Sequence, residues 1–235
     1  MFIDPYFLLF AAPALALSLY ASHLTKTRFQ KYSKVMASSG LTGAQAAYQM
    51  MRREGVTDVG IEKVAGFLSD HYDPRKKVLR LSPAVHDGRS LSALGVACHE
   101  AGHALQHNQG YAPLALRSSL VPAASFSSQL AGPILMIGLV LSILAGPIGQ
   151  PVMLAGIVML SLAVLFTLIT LPVEWDASAR AKRVLVNDGI VTEREQADAG
   201  AVLDAAFLTY LAAAVASIMT LLYWLWRSGL IGGRR

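Results

Sequence analysis

A chain of 235 residues that is 54% apolar and only 15% charged, with a mean hydropathy of +0.47, falls outside the composition of soluble domains and reads as a membrane protein. Its single cysteine, Cys98, excludes an internal disulfide and is expected to be a small buried hydrophobe rather than a nucleophile. The net charge of +5 and the pI near 9.4 come without interleaved aromatic and basic residues, so they point to topology and anionic lipid and exclude nucleic acid as a partner.

Charge-free stretches locate the membrane spans. There are 18 uncharged residues between Asp4 and His23, 56 between Arg117 and Glu174, and 22 between Asp204 and Arg227. A helix needs roughly 20 apolar residues to cross the hydrocarbon core, so the longest stretch suits two spans joined by the turn-forming Gly146-Pro147-Ile148-Gly149-Gln150-Pro151. The expected fold is mainly α: a polytopic membrane protein with about four transmembrane helices and a cytosolic or interfacial unit containing a short β-strand or hairpin. Its segments are a first span (1–22), a polar segment (23–118), a membrane hairpin (119–173), a second polar segment (174–204), a last span (205–226) and a tail (227–235). Of the 20 Lys and Arg residues, 13 lie between His23 and Arg117, four between Glu174 and Asp204, and three beyond the last span. The positive-inside rule then places both polar segments of this multi-pass protein in the cytoplasm and both termini outside. Arg227, Arg234 and Arg235 run against that bias.

Residues 5–22 are expected to be a span rather than a secretory signal, because Asp4 precedes the apolar run and Lys26, Arg28, Lys31 and Lys34 follow it. The basic stretch continues that helix past the interface or lies on the lipid surface. Thr42-x-x-Gln45 forms a capping box for a helix ending near Glu54-Gly55, with Ala46, Ala47, Met50 and Met51 as its packing face. A second apolar segment (59–68) precedes the turn-forming run 70–75. The alternation in Lys77-Val78-Leu79-Arg80-Leu81-Ser82 then predicts a short strand. That strand is either an edge that holds an extended substrate by β-augmentation or part of a small structural hairpin.

Ala97-Cys98-His99-Glu100-Ala101-Gly102-His103-Ala104-Leu105-Gln106-His107 carries the pattern H-E-x-x-H on a helix expected over about 90–108, capped by Ser90 and stopped by Asn108-Gln109-Gly110 and Pro113. On a helix His99 and His103 lie nearly one above the other and can share one metal ion, for which zinc is the expected occupant. Glu100 follows the first ligand at the position from which a carboxylate can deprotonate water without itself being a ligand. The bland alternative is two surface histidines bracketing a glutamate. His107 extends the i, i+4 series but is rotated by about 80° from His99, so it flanks the site.

The hairpin, expected over 120–145 and 152–173, crosses twice and returns the chain to the side it left, where Glu174 is the first charge. Glu174 reads either as an end-of-span carboxylate or as the third ligand that H-E-x-x-H lacks, and the motif favours the second. Its helix is expected to run to about residue 186 and stop at Asn187-Asp188-Gly189, with Arg180, Lys182 and Arg183 suited to the helix dipole. Thr192-x-x-Glu195 is a second capping box, opening a helix that leads into the last span, with Tyr223, Trp224 and Trp226 as an interfacial anchor.

These elements together resemble the YugP-type family of membrane zinc metallopeptidases: the first span, His71-Tyr72-Asp73-Pro74, Leu79-Arg80-Leu81-Ser82-Pro83, the His99 to His107 run, and Pro172-Val173-Glu174-Trp175-Asp176-Ala177-Ser178. The resemblance covers nearly the whole chain. It implies a zincin-like metallopeptidase unit in a bacterial-type plasma (inner) membrane, a neutral zinc-dependent peptidase with one zinc per chain, ligands His99 and His103 and base Glu100. The wider gluzincin pattern implies Glu174 as third ligand. Many gluzincins carry, four residues beyond that glutamate, an aspartate that orients a ligand histidine; Ser178 stands there in this chain. Asp176 is two residues on and points elsewhere on a helix, which leaves Asp70, Asp73, Asp87 or a backbone carbonyl as candidates to orient the histidines.

The expected partners are a peptide or protein substrate and the lipid bilayer, with an oligomeric or regulatory membrane partner left open. His107, Tyr111, His71, Arg180 and Ser178 are candidates to stabilise the oxyanion, contact substrate or support the ligands. Two rival readings stand beside this one. An intramembrane protease of site-2 type would take its third ligand from Leu203-Asp204-Ala205. A zinc-holding scaffold or chaperone subunit would need a closed site, usually of four ligands and often cysteines.

Overall fold

The computed structural model describes residues 4–66 and 69–232. The last two positions of the expected apolar segment 59–68, the first three residues of the chain and the last three of the tail lie outside them. Among the described residues there are seven α-helices and three short strands: α1 (Pro5–Tyr32), α2 (Gly43–Arg53), β1 (Gly60–Lys63), β2 (His71–Asp73), β3 (Val78–Leu81), α3 (Pro83–His86), α4 (Leu91–Asn108), α5 (Ala112–Leu144), α6 (Gly149–Asn187) and α7 (Glu193–Arg227). Four of the helices, α1, α5, α6 and α7, are long and apolar enough to cross a membrane, and the protein is a mainly α, polytopic membrane protein. It divides into two units. One comprises Ala21–Ala115 and Leu171–Thr209; the other comprises Leu116–Thr170 with the N-terminal segment up to Tyr20 and the C-terminal segment from Tyr210.

In the first unit local chemistry sets the helix ends. The Thr42 side chain accepts from the Gln45 N–H at 3.2 Å while the Gln45 side chain accepts from the Thr42 N–H at 2.9 Å, so two otherwise orphaned donors at the start of α2 are satisfied reciprocally. Ser90 caps α4 by accepting from the Ala93 N–H, and Thr192 with Glu195 forms the corresponding box at α7. Ala46, Ala47, Met50 and Met51 of α2 are buried, as their spacing predicts, with Leu91, Leu94 and Leu105 of α4 in the same core.

The sheet corrects one expectation. β3 is its central strand, parallel to β1 on one side and antiparallel to β2 on the other, so neither edge of β3 is open to a substrate. Leu79 and Leu81 are fully buried, each contributing roughly 1.5–3 kcal/mol of apolar transfer, whereas Arg80 between them pairs with Asp73 and Glu62. The run 70–75, expected to be only a turn, contains strand β2.

In the second unit α5 and α6 form an antiparallel hairpin. A Cβ at Gly138 would lie 2.5 Å from the Met153 nitrogen, so the backbones approach as closely as only glycine allows. The Thr167 and Ser217 hydroxyls meet at 3.0 Å between α6 and α7. Tyr223 and Trp224 are not interfacial anchors. They are 4% and 8% exposed and pack with Leu135, Met153 and Ile157, because their faces point into the helix bundle. The Tyr223 hydroxyl donates to Asp4 at 2.9 Å, and Asp4 also faces Arg227 at 3.7 Å, which neutralises one of the three cations beyond the last span.

The longest helix differs from expectation in its extent. The hairpin arm and the segment bearing Glu174 are one continuous helix, α6, with Pro172 inside it. It ends where Asn187-Asp188-Gly189 was expected to stop it, Gly189 adopting φ +65°.

Candidate metal centre

The sequence places His99, Glu100 and His103 on α4 and Glu174 on α6, and antiparallel packing of these helices within one unit brings three of them together. The two imidazoles and the Glu174 carboxylate each offer one ligand atom, and these atoms all lie within 4.8 Å of one another. The Glu174 Oε2 is 3.2 Å from His99 Nε2 and 3.6 Å from His103 Nε2. Glu174 is 1% exposed, a placement whose desolvation penalty needs a compensating positive charge.

A close helix contact makes this possible. A Cβ at Gly102 would sit 2.7 Å from the Ala177 carbonyl oxygen and 3.2 Å from its Cα, so a glycine between Ala101 and His103 allows α6 to come near enough for its carboxylate to reach both rings.

Both histidines are held from behind. His99 Nδ1 is 3.1 Å from the Ser178 hydroxyl, one helical turn beyond Glu174. His103 Nδ1 is 2.9 Å from Gln106 Oε1. With Nδ1 engaged on each ring, the Nε2 atoms are the ones turned to Glu174. This donor set, two imidazole nitrogens and one carboxylate oxygen, fits a zinc ion with a position left open. Burial disfavours the charged form of His103, but the facing Glu174 side chain and the Glu100 charge outweigh it and raise its pKa above the ordinary 6.5. Glu100 is itself buried at 9% exposure.

The other expected residues fall into distinct places. Ser178 joins the site. Arg180 does not: its Nε donates to Asp176 and its Nη1 to Gln109, and its guanidinium lies 5.8 Å from the Tyr111 ring centroid. His107 is exposed on α4, with its Nδ1 2.7 Å from the Tyr72 hydroxyl of β2. Burial, with the charges of Asp58 and Asp73, pushes the Tyr72 phenol up to about 12, so it stays a hydrogen-bond donor at neutral pH. His71 is exposed and bonded to the Ser69 carbonyl at 2.8 Å, away from the site. None of the aspartates expected to orient His99 or His103 does so. Asp70 accepts from Ser82, Asp73 from Arg75, Lys76 and Arg80, and Asp87 pairs with His86 and Lys63, because all three serve the sheet and its adjoining turns. Asp204 pairs with Lys182 and is outside the ligand cluster. Cys98 is buried and desolvation pushes its thiol up, which removes it as a nucleophile.

Gln106 was missed. It is fully buried, and its amide connects His103 to α6. The available signal was its i+3 spacing from His103 on an otherwise apolar helix turn.

Residues 7–229 match a family described as "Putative neutral zinc metallopeptidase". The chain is 47% identical, over 216 residues, to "Putative membrane protease YugP" of Bacillus subtilis (strain 168), a match covering 92% of this chain and 93% of that protein. No solved structure matches.

Proposed function

The chain belongs to the neutral zinc metallopeptidase family, and from that membership we propose that it is a membrane-embedded peptidase that hydrolyses peptide bonds with water at the cytoplasmic face of the plasma membrane. His99, His103 and Glu174 hold one zinc ion, as in gluzincins. The observation that carries this reading is the convergence of three buried or half-buried donor atoms within 4.8 Å, with both imidazoles fixed through their opposite nitrogens.

The metal, when bound, supplies the positive charge that acidifies water and polarises a substrate carbonyl. Glu100, next to His99 but outside the ligand set, takes a proton from the attacking water and delivers it to the leaving amine. For the developing oxyanion, Arg180 and His71 are committed to other partners, which leaves His107, steadied by Tyr72, and Tyr111 as the candidate donors. β3 is paired on both sides, and β2, against which α4 packs, is an edge strand, so an extended peptide is assigned to the outer edge of β2. The 13 cations from His23 to Arg117 inclusive support the cytoplasmic side.

The test is cleavage of an unfolded polypeptide by purified, zinc-loaded protein. Chelation should abolish it, and Glu100→Gln should lower it by about 10²- to 10⁴-fold while zinc stays bound. Cleavage that survives Glu100→Gln rejects the mechanism. Stoichiometric zinc in a wild-type protein that cleaves nothing returns the scaffold reading.

A further inference from the structure

The His103 ring is bonded to an amide whose orientation is itself determined. The Gln106 side chain is fully buried and meets three partners: His103 Nδ1 at 2.9 Å, the Val173 carbonyl oxygen at 2.8 Å and Asp176 Oδ2 at 2.8 Å. Val173 and Asp176 present only acceptors, so the amide NH₂ must face them and its oxygen must face the ring. A ring nitrogen facing an amide oxygen has to carry hydrogen. Asp176 is fixed in turn, because the Arg180 guanidinium donates to its Oδ2 and to Gln109, three residues past Gln106 on α4.

We propose that Gln106 is a positioning residue that locks His103 as the Nδ1–H tautomer, so that the Nε2 lone pair is left for the metal that His99, His103 and Glu174 would hold. Asp176 acts through Gln106, by fixing which way the amide points. The assignment rests on the peptidase reading for its purpose and on hydrogen-bond chemistry for its substance. His99 relies on Ser178, a hydroxyl that can donate or accept and so selects no tautomer, whereas the choice for His103 is made by a glutamine on its own helix.

Long-range ¹H–¹⁵N correlation of the histidine rings in the full-length, metal-free protein reads the tautomer, with His103→Gln identifying the signal and the spectra recorded at alkaline pH, where the ring is neutral. Wild type should show hydrogen on His103 Nδ1. Gln106→Met, close in volume and without an amide, should show a mixture of tautomers, and its zinc affinity, measured against a coloured chelator, should fall about 10- to 100-fold with helix content unchanged. A wild-type ring protonated on Nε2 overturns the proposal without any variant, which guards against a substitution that fails to fold. So does Gln106→Met that keeps the Nδ1–H form and binds zinc within about twofold of wild type. If wild type shows the Nδ1–H form yet has no affinity for zinc, the peptidase reading fails and the tautomer assignment stands.

Discussion

Helix α6 makes two kinds of contact along its length. Around Met153 and Gly156 it meets α5 through glycines and apolar side chains: Gly138 lies under Met153, and Leu135 crowds Gly156. Around 173–180 it meets α4 through one glycine, Gly102, and a set of polar side chains in which Ser178, Glu174 and Asp176 face His99, His103 and Gln106. In an apolar surrounding, close backbone approach is enough to hold two helices together. Where two helices must deliver donor atoms to one point, proximity brings the groups near and hydrogen bonds decide which atom each one presents.

Removing a ligand should separate the two contacts most sharply. Glu174→Ala should lower zinc affinity by more than about 100-fold, beyond the usual effect of a hydrogen-bonding neighbour, while Asp204→Ala leaves bound zinc unchanged. Metal analysis of the two purified variants checks this, and the opposite result would restore the intramembrane reading. Overpacking comes next. Gly102→Ala and Gly138→Ala each push a methyl into backbone and should each cost about 1–3 kcal/mol in thermal unfolding, but only Gly102→Ala should weaken zinc binding as well. Equal loss of zinc in both would mean that the metal centre depends on the whole length of α6. Ser178→Ala takes away the hydroxyl behind His99 and should lower zinc affinity by about 10-fold, with no loss of helix content by circular dichroism.

The smallest effect concerns pH. His103 has a raised pKa, so its contact with Glu174 stabilises the metal-free fold fully below the unfolded value of 6.5, and that contribution is lost as pH rises through the higher folded value. Zinc needs the neutral ring, so its affinity should fall as pH drops through the same range. Thermal unfolding with and without chelator should therefore show the stabilisation due to zinc shrinking towards acid pH. A stabilisation that grows there would contradict the His103–Glu174 coupling.

Features encoded within a few residues were legible in the sequence. Thr42, Ser90 and Thr192 cap helices because a hydroxyl and a nearby N–H suffice, and the lengths of the charge-free stretches gave the four spans because lipid thickness is a fixed ruler. His99, His103 and Glu174, whose donor atoms lie within 4.8 Å of one another, could be singled out because groups able to hold a metal come in few types and spacings. What depended on distant pairing was not legible. β3 looked like an edge because nothing in 78–81 announces that 60–63 will lie beside it in parallel. Gln106 looked like any helical glutamine, because its burial and its orientation are decided by Val173 and Asp176, 67 and 70 positions later. Tyr223 and Trp224 matched the usual composition of an interfacial belt, yet their packing against Leu135, Met153 and Ile157 puts them in a core.

The two wild-card letters of the H-E-x-x-H run are not equally free in this chain. The second of them, Gly102, lies against the Ala177 backbone, and any side chain there would wedge the neighbouring helix outward by about the width of the atom added. A sequence search that treats both letters as arbitrary would therefore accept chains whose acidic ligand cannot arrive by this route. Requiring glycine in that slot and glutamine three places after the closing histidine would select those in which it can.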